Sequence, residues 1–191
     1  LHHEIQPWYV KHASGNSLLR NRGDGTFEDV TAEAGVAMGH WAWGGVFTDF
    51  DNDGLEDLYV PCGHATQRGA ERDLEVFYWQ RVVSLSPPDA SPKEDYATAF
   101  ATMHRMVMYG GFSWSANERN VAYLNTGGLR FAFADVSAVS GLDWPDDSRC
   151  AASTDWDEDG RVDLLLKNRN GPRLRLLHNR SASGGSWMAL E

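Results

Sequence analysis

The chain is poor in cysteine and in basic residues, and it has no long apolar run. Its 191 residues include only Cys62 and Cys150, too few for a thiolate zinc site or a disulfide scaffold. The two cysteines either form one disulfide in a secreted protein or lie as small buried residues. No stretch approaches the roughly eighteen apolar residues of a membrane span, so we expect no such span.

Acidic residues outnumber basic ones, with 27 Asp and Glu against 17 Lys and Arg, which gives a net charge of −10. This balance argues against a nucleic-acid backbone or an anionic membrane as the main partner. An excess of carboxylate suits divalent cations instead. The hydrophobic fraction of 42% and the aromatic share of 12% are those of a folded protein rather than a disordered chain.

One acidic stretch occurs twice. "TDFDNDGLEDLYV", from Thr48 to Val60, returns as "TDWDEDGRVDLLL", from Thr154 to Leu166. The same offset relates "FEDVTAEAG", from Phe27, to "FADVSAVSG", from Phe133. Two blocks in one register indicate an internal duplication.

A third element occurs three times, as "SLLRN", "VAYLN" and "RLLHN", which end at Asn21, Asn125 and Asn179. The distance between the last two indicates a repeat of about 54 residues, and the first copy carries about 50 more. We place these additional residues between Cys62 and Asn117, where the sequence changes character.

Two helices are predicted in this insertion. "ERDLEVFYWQRVV" and "DYATAFATMHRMVM" place apolar residues at helical spacing, and the proline-rich "SLSPPDASP" separates them. The predicted apolar face of the second helix consists of Ala97, Phe100, Ala101, His104 and Val107.

The repeat itself has the sequence pattern of short strands. "SLLRN", "TFEDVT", "GGVFTDF" and "EDLYV" are rich in β-branched and aromatic residues and are separated by Gly, Asn and Asp. Roughly four short strands in such a repeat make a blade-sized unit, so the predicted fold is mainly β with a two-helix insertion. The predicted segments are the end of a preceding repeat (1–15), a repeat with an acidic loop (16–61), the helical insertion (62–116), a second repeat with an acidic loop (117–168) and the start of a further segment (169–191).

The acidic loops predict two calcium sites. Alternate carboxylates in a tight loop suit a hard cation that takes oxygen ligands, and Gly54 allows the sharp turn. Each predicted site uses four side-chain carboxylates and one backbone carbonyl. The first consists of Asp49, Asp51, Asp53 and Asp57 with the carbonyl of Leu55, and the second of Asp155, Asp157, Asp159 and Asp163 with the carbonyl of Arg161. We expect Asn52 and Glu158 to point outward.

The spacing of the first three acids also fits an EF-hand, but the rest of the loop does not. The twelfth position of an EF-hand is a bidentate Glu, whereas this chain has Val60 and Leu166 there. The flanking segments also have the pattern of strands rather than helices. We therefore expect each loop to close at its ninth residue, between two strands.

These motifs resemble a known family. "SLLRNRGDGTFEDVTAEAGV" followed by "WGGVFTDFDNDGLEDLYV" resembles the FG-GAP, or VCBS-type, repeat of integrin-α-like β-propellers. The second copy with "NRNGPRLRLLHNRSASGGSWMALE", and the phrase "GGFSWSANERN", resemble the ASPIC/UnbV (cartilage acidic protein-like) group. The resemblance implies a portion of a β-propeller built from FG-GAP/VCBS blades, with neighbouring blades in a longer protein.

The resemblance also implies structural calcium in the acidic loops and binding of a protein or glycan ligand rather than catalysis. A short loop without the bidentate Glu is expected to bind calcium at roughly 10⁻⁴ to 10⁻³ M, the range of extracellular modules. Calcium at this level is available outside the cytosol, which favours a secreted or periplasmic protein.

Two other functions are open at this point. A carbohydrate-active or other hydrolytic enzyme would place its site between the helical insertion and the blades, with acids chosen from Glu71, Glu75, Glu94 and Glu118. We expect Glu118 to tie the insertion to the following strand instead.

The tryptophans form either a carbohydrate-stacking surface or the packing between strands. A calcium sensor is disfavoured by the strand flanks and the missing Glu.

Overall fold

The computed structural model describes residues 15–69, 72–87, 93–127 and 132–182. The predicted repeat end at residues 1–14, the candidate acid Glu71 and the chain beyond residue 182 lie outside the described residues. The contacts between residues divide the chain into two compact units. One contains His64–Asn117, and the other contains Gly15–Gly63 together with the chain from Glu118 onward. None of the described helices combines the length and apolar character needed to cross a bilayer.

The second of these units is built from antiparallel sheets. Its strands are β1 (Leu19–Asn21), β2 (Phe27–Asp29), β3 (Val46–Thr48), β4 (Asp57–Val60), β5 (Val121–Asn125), β6 (Phe133–Asp135), β7 (Ser148–Thr154), β8 (Asp163–Asn168) and β9 (Leu174–Leu177). The described strands form sheets in the orders β1-β2, β3-β4-β5-β6 and β7-β8-β9. The prediction of a mainly β chain is confirmed.

Each sequence repeat contributes strands to two sheets. In the first repeat, β1 and β2 form one sheet, whereas β3 and β4 pair with β5 and β6 of the second repeat. The pairing of β4 with β5 joins Val60 to Val121 across the whole insertion. The boundaries of the sequence repeat therefore differ from those of the sheets, because the strand that follows the insertion returns to the edge of β4.

Both faces of the β3–β6 sheet carry apolar side chains, because successive residues of a strand point to opposite faces. On one face lie Leu58, Val60, Val121 and Tyr123, which pack with Ala34 and Val36. On the other face lie Tyr59 and Ala122, which pack with Leu164 and Leu166 of β8. Tyr59 also donates its hydroxyl to the carbonyl of Leu142, 2.9 Å away. Two sheets are thus stacked face to face through a buried core.

Short helices follow the equivalent strands β2 and β6 of the two repeats. They are α1 (Thr31–Ala34) and α4 (Ser137–Ser140). The side-chain hydroxyl of the first residue of each helix accepts a backbone N–H. The donor lies on, or directly before, the strand that pairs with the strand preceding the helix. Leu18 N donates to Thr31 Oγ1 over 2.7 Å, and Ala122 N donates to Ser137 Oγ over 2.9 Å. The "FEDVT" and "FADVS" segments thus make equivalent contacts in the two repeats.

The unit that contains His64–Asn117 carries the predicted helices. They are α2 (Glu75–Phe77), which continues as a π-helix over Tyr78–Val83, and α3 (Glu94–Met108). The buried residues of this unit's core are Leu74, Val82, Ala99 and Met103. The predicted apolar face of α3 is wrong, since Phe100 is 48% exposed and His104 is exposed as well. The helix has turned to bury Ala99 and Met103 against α2 and its π-helical continuation.

Both cysteines are free thiols. Cys62 is buried, and its thiol lies 3.1 Å from the carbonyl of Gly39 as a hydrogen-bond donor. Cys150 is exposed on β7. Burial raises the pKa of the Cys62 thiol to about 12.

Candidate metal centre

The first acidic loop joins β3 to β4 and is organised by its own carboxylates. Asp49 accepts the backbone N–H groups of Asp53 and Gly54 at 3.1 and 2.9 Å. Asp53 in turn accepts the N–H of Leu55 at 2.8 Å. Gly54 has φ 89°, a conformation that suits glycine and brings the chain back toward β4. The loop is therefore flanked by strands, as predicted, and not by the helices of an EF-hand.

Three carboxylates converge in this loop. Asp49, Asp51 and Asp53 each offer an oxygen, and these oxygens lie within 4.8 Å of one another. One of the Asp51 oxygens, Oδ1, is buried and has no hydrogen-bond partner. Burial, followed by the charges of Asp53 and Asp49, raises the pKa of Asp51. A hard cation with oxygen ligands would supply the missing partner and offset this repulsion, so the donor set fits calcium.

The second loop joins β7 to β8 with the same geometry. Asp155 accepts the N–H groups of Asp159 and Gly160 at 3.1 and 2.8 Å, and Asp159 accepts that of Arg161 at 2.9 Å. Oxygens of Asp155, Asp157 and Asp159 again lie within 4.8 Å of one another. The duplication seen in the sequence is therefore a duplication of structure at this site.

The closing residue of the first loop, Asp57, has a different setting from the other three. It is fully buried, and its two oxygens accept the N–H groups of Phe50 and Asn125 at 2.8 and 2.7 Å. Burial raises its pKa to about 6, although these two hydrogen bonds act in the opposite direction. Asp57 thus links the loop to β5, and its predicted role as a calcium ligand stays a prediction.

The closing residue of the second loop, Asp163, makes the equivalent bonds and one more. It accepts the N–H groups of Trp156 and Asn179 at 3.1 and 2.7 Å. Its Oδ1 also lies 3.2 Å from Nδ1 of His178. Burial alone would raise the pKa of Asp163, but the two N–H donors and His178 together lower it. The imidazole thus adds a contact and a pKa effect that Asp57 does not have.

Leu55 and Arg161 were predicted to offer backbone carbonyls. The structure places them at equivalent points of the two loops, each donating its own N–H to the preceding loop aspartate. Leu55 is 37% exposed, and Arg161 carries its guanidinium back to Asp159. The carbonyl ligand roles of both residues remain predictions.

Asn125, the last residue of β5, and Asn179, two residues beyond β9, have a role that the sequence did not reveal. Asn125 Nδ2 donates to the carbonyl of Glu56, and Asn179 Nδ2 donates to the equivalent carbonyl of Val162, both over 3.1 Å. Each asparagine therefore holds the residue before the closing aspartate as well as the aspartate itself. Their recurrence in the three five-residue motifs was the signal.

The two loops contact each other. Asn52 Nδ2 donates to the carbonyl of Gly160 over 2.8 Å. Asn52 was expected to point outward, and its side chain contacts the second loop because the stacking of the two sheets brings that loop beside the first. His178 was also missed; the signal was its position directly before Asn179, where the other copies have Arg20 and Leu124.

The candidate catalytic acids have other partners. Glu118 accepts the N–H of Trp41 over 2.6 Å, a contact within the β unit, and its predicted role of tying in the insertion stays a prediction. Glu75 and Glu94 lie in the first turns of α2 and α3, where a negative carboxylate interacts favourably with the helix dipole. Among the tryptophans, Trp114 packs in the helical unit, whereas Trp156 is 65% exposed.

Comparison with known proteins supports the repeat. Residues 9–60 match the family model of the FG-GAP-like repeat, a segment that ends with β4 and includes the whole first acidic loop. A search of curated proteins found no match to the chain.

Proposed function

We propose that this chain is a calcium-binding β-propeller module that binds a protein or glycan ligand outside the cytoplasm and is not catalytic. The observation that carries the proposal is the pair of equivalent hairpin loops, each with three converging aspartate oxygens. The buried, unpartnered oxygen of Asp51 gives a reason for a cation at the first of them. The similarity of residues 9–60 to an FG-GAP-like repeat agrees with a binding or adhesion role.

The arrangement of sheets supports the propeller part of the proposal. A four-stranded antiparallel sheet stacks face to face on the β7–β9 sheet, and the acidic loops of both touch each other. Stacked four-stranded sheets are the blades of a propeller. Neighbouring blades of a longer protein would cover the remaining sheet faces, and the resemblance to the ASPIC/UnbV group belongs to the same proposal.

Calcium has a structural role in this proposal. Carboxylates crowded in a hairpin repel one another, so a cation that binds the folded loop and not the unfolded chain stabilises the fold by mass action. With a dissociation constant of roughly 10⁻⁴ to 10⁻³ M, each site adds about 1.4 to 2.7 kcal/mol at about 10 mM calcium. Calcium at concentrations near these dissociation constants is found outside the cytosol, which is why we propose a secreted or periplasmic location.

Thermal unfolding with calcium and with EDTA tests the proposal. For a chain of this size, the expected stabilisation corresponds to a rise in Tm of about 3–10 °C for one loaded site. The double variant Asp49→Ala, Asp155→Ala should lose this rise. The matched control Glu56→Ala, Glu158→Ala removes one exposed acid from each loop and should keep it. If the wild-type Tm is the same in calcium and in EDTA, the structural role of calcium is refuted.

A further inference from the structure

The two acidic loops are equivalent in backbone and in aspartates but differ in the residues beside them. Two positions with apolar side chains at the first loop have cationic or imidazole side chains at the second. Leu55 corresponds to Arg161 within the loop, and Leu124 corresponds to His178 on the strand that borders it. Because the four aspartates and the glycine of each loop repeat at the same places, the chain itself provides a comparison of two similar sites with different neighbours.

At the second loop, Arg161 places a permanent positive charge on one of the three converging aspartates. Its guanidinium forms an ion pair with Asp159. Its Nε also donates to the carbonyl of Asn179 over 3.0 Å, which fixes the direction of the side chain. Both oxygens of Asp159 are therefore engaged, Oδ1 by the backbone N–H of Arg161 and Oδ2 by its guanidinium.

His178 adds a second group on the same loop. Its Nδ1 lies 3.2 Å from Asp163 Oδ1, and its Nε2 lies 3.6 Å from Asp157 Oδ2. The imidazole thus stands between two of the loop's carboxylates. Arg161 and His178 together contact Asp157, Asp159 and Asp163, so the second loop has partners of its own.

The first loop has no such partners in the part of the chain that the structure describes. No Lys, Arg or His there lies within ion-pair distance of Asp49, Asp51, Asp53 or Asp57. Its charge is left to be balanced from outside, and the unpartnered Asp51 oxygen belongs to this loop and not to the other.

We propose that the two loops are unequal calcium sites: the first fills at lower calcium, and the second is held together largely by Arg161 and His178. This inference rests on the proposed function, since it assumes that the loops bind calcium. A cation entering the second loop must displace the guanidinium from Asp159 or remain close to it, and like charges at this range repel. The affinity of the second loop should be weaker by about tenfold, which corresponds to about 1.4 kcal/mol.

Calcium titration by calorimetry on single-loop variants tests the inequality. Asp155→Asn leaves the first loop intact, and Asp49→Asn leaves the second. The dissociation constant of the Asp155→Asn protein should be about tenfold lower than that of the Asp49→Asn protein. Adding Arg161→Leu to Asp49→Asn gives the second loop the residue of the first and should remove most of this difference. Arg161→Lys at the same position keeps the charge and should leave binding weak.

A spectroscopic measurement on the wild-type chain covers the case in which a variant does not fold. Trp156 follows the first aspartate of the second loop, whereas Phe50 has that place in the first loop. The part of the tryptophan-excited terbium luminescence that Trp156→Phe removes should therefore come mainly from the second loop, because Trp156 lies within that loop and reaches the first only across the Asn52–Gly160 contact. In a terbium titration, this part of the luminescence should rise only after the first equivalent has bound by calorimetry.

The outcomes separate this inference from the function on which it rests. Equal affinities of the two single-loop variants, unchanged by Arg161→Leu, overturn the inequality while calcium-dependent melting still supports the proposed function. Trp156-dependent luminescence that rises with the first equivalent overturns it as well. An absence of calcium binding in wild type and in both variants overturns the inequality and the proposed function together.

Discussion

A row of buried polar side chains links the β3–β6 sheet to the β7–β9 sheet, at the strand ends opposite the acidic loops. Substituting one of these side chains is a strong test of the fold. Asn120 Oδ1 accepts the N–H of Cys62, two residues beyond β4, over 2.8 Å. Its Nδ2 donates to Ser148 Oγ over 2.9 Å, and this hydroxyl donates to Asn168 Oδ1 over 2.9 Å. The side chains of Asn120, Ser148 and Asn168 are all 0% exposed. We call this row the asparagine ladder.

The variant Asn120→Ala breaks the asparagine ladder at its first step. It leaves the Cys62 N–H without its acceptor and Ser148 Oγ without one of its partners. A buried group that loses its partner costs about 1–3 kcal/mol, so the free energy of unfolding should fall by about 2–4 kcal/mol once the lost desolvation of the amide is allowed for. In a chain of this size, the fall corresponds to a decrease in Tm of roughly 4–16 °C.

A double-mutant cycle shows whether the ladder acts as one network. Asn120→Ala and Asn168→Ala both remove a partner of Ser148, so the double variant should be less destabilised than the sum of the two single variants. The coupling should be about 1 kcal/mol, within the usual range for residues in one hydrogen-bond network.

Urea unfolding of the wild type, the two single variants and the double variant gives all four free energies. Arg119→Ala is the matched control, because Arg119 is the neighbour of Asn120 and its ion pair with Asp143 is exposed. This control should cost less than about 1 kcal/mol. A loss below about 1 kcal/mol for Asn120→Ala, or strict additivity in the cycle, would refute the ladder as a buried network.

Two further predictions concern the core and the thiols. Leu166→Ala should lower the free energy of unfolding by about 2–5 kcal/mol, because Leu166 is 0% exposed between the two stacked sheets. Leu174→Ala, at a 63% exposed position, should change it by less than about 0.5 kcal/mol, and equal losses in urea unfolding would contradict the stacking. Ellman's reagent should react with Cys150 in the native chain and with Cys62 only after unfolding, since Cys62 is buried and its pKa is raised to about 12. Fast reaction of two thiols in the native chain, or of none, would contradict these positions.

The local geometry of the acidic loops could be predicted from the sequence because short-range contacts determine it. Asp49 and Asp155 each accept N–H groups from residues four and five positions further along, and the second of these donors is the glycine that sets the turn. The strand flanks followed from the same pattern of short β-branched segments. Duplication strengthened each of these predictions, because an arrangement that occurs twice in one register is seldom accidental.

The features that sequence reasoning missed depend on contacts between distant segments. Helical spacing in α3 allows two overlapping apolar faces, and its packing against α2 selects Ala99 and Met103 over Phe100. Likewise, Glu118 contacts Trp41, 77 residues earlier in the chain, because β5 returns to the sheet that begins with β3. Periodicity along the chain carries no information on such partners.

The division of each repeat between two sheets has a consequence for the acidic hairpins. The hairpin β3–β4 is closed by the first repeat's Asp57, but one of the two N–H groups that Asp57 accepts belongs to Asn125 of the second repeat. The second hairpin depends in the same way on Asn179, which comes from the next copy of the five-residue motif. One repeat alone thus contains the aspartates of a loop without the asparagine that fixes its closing residue. Each loop is complete only when the following repeat has joined its sheet, which couples the geometry of the candidate metal site to the assembly of successive sheets.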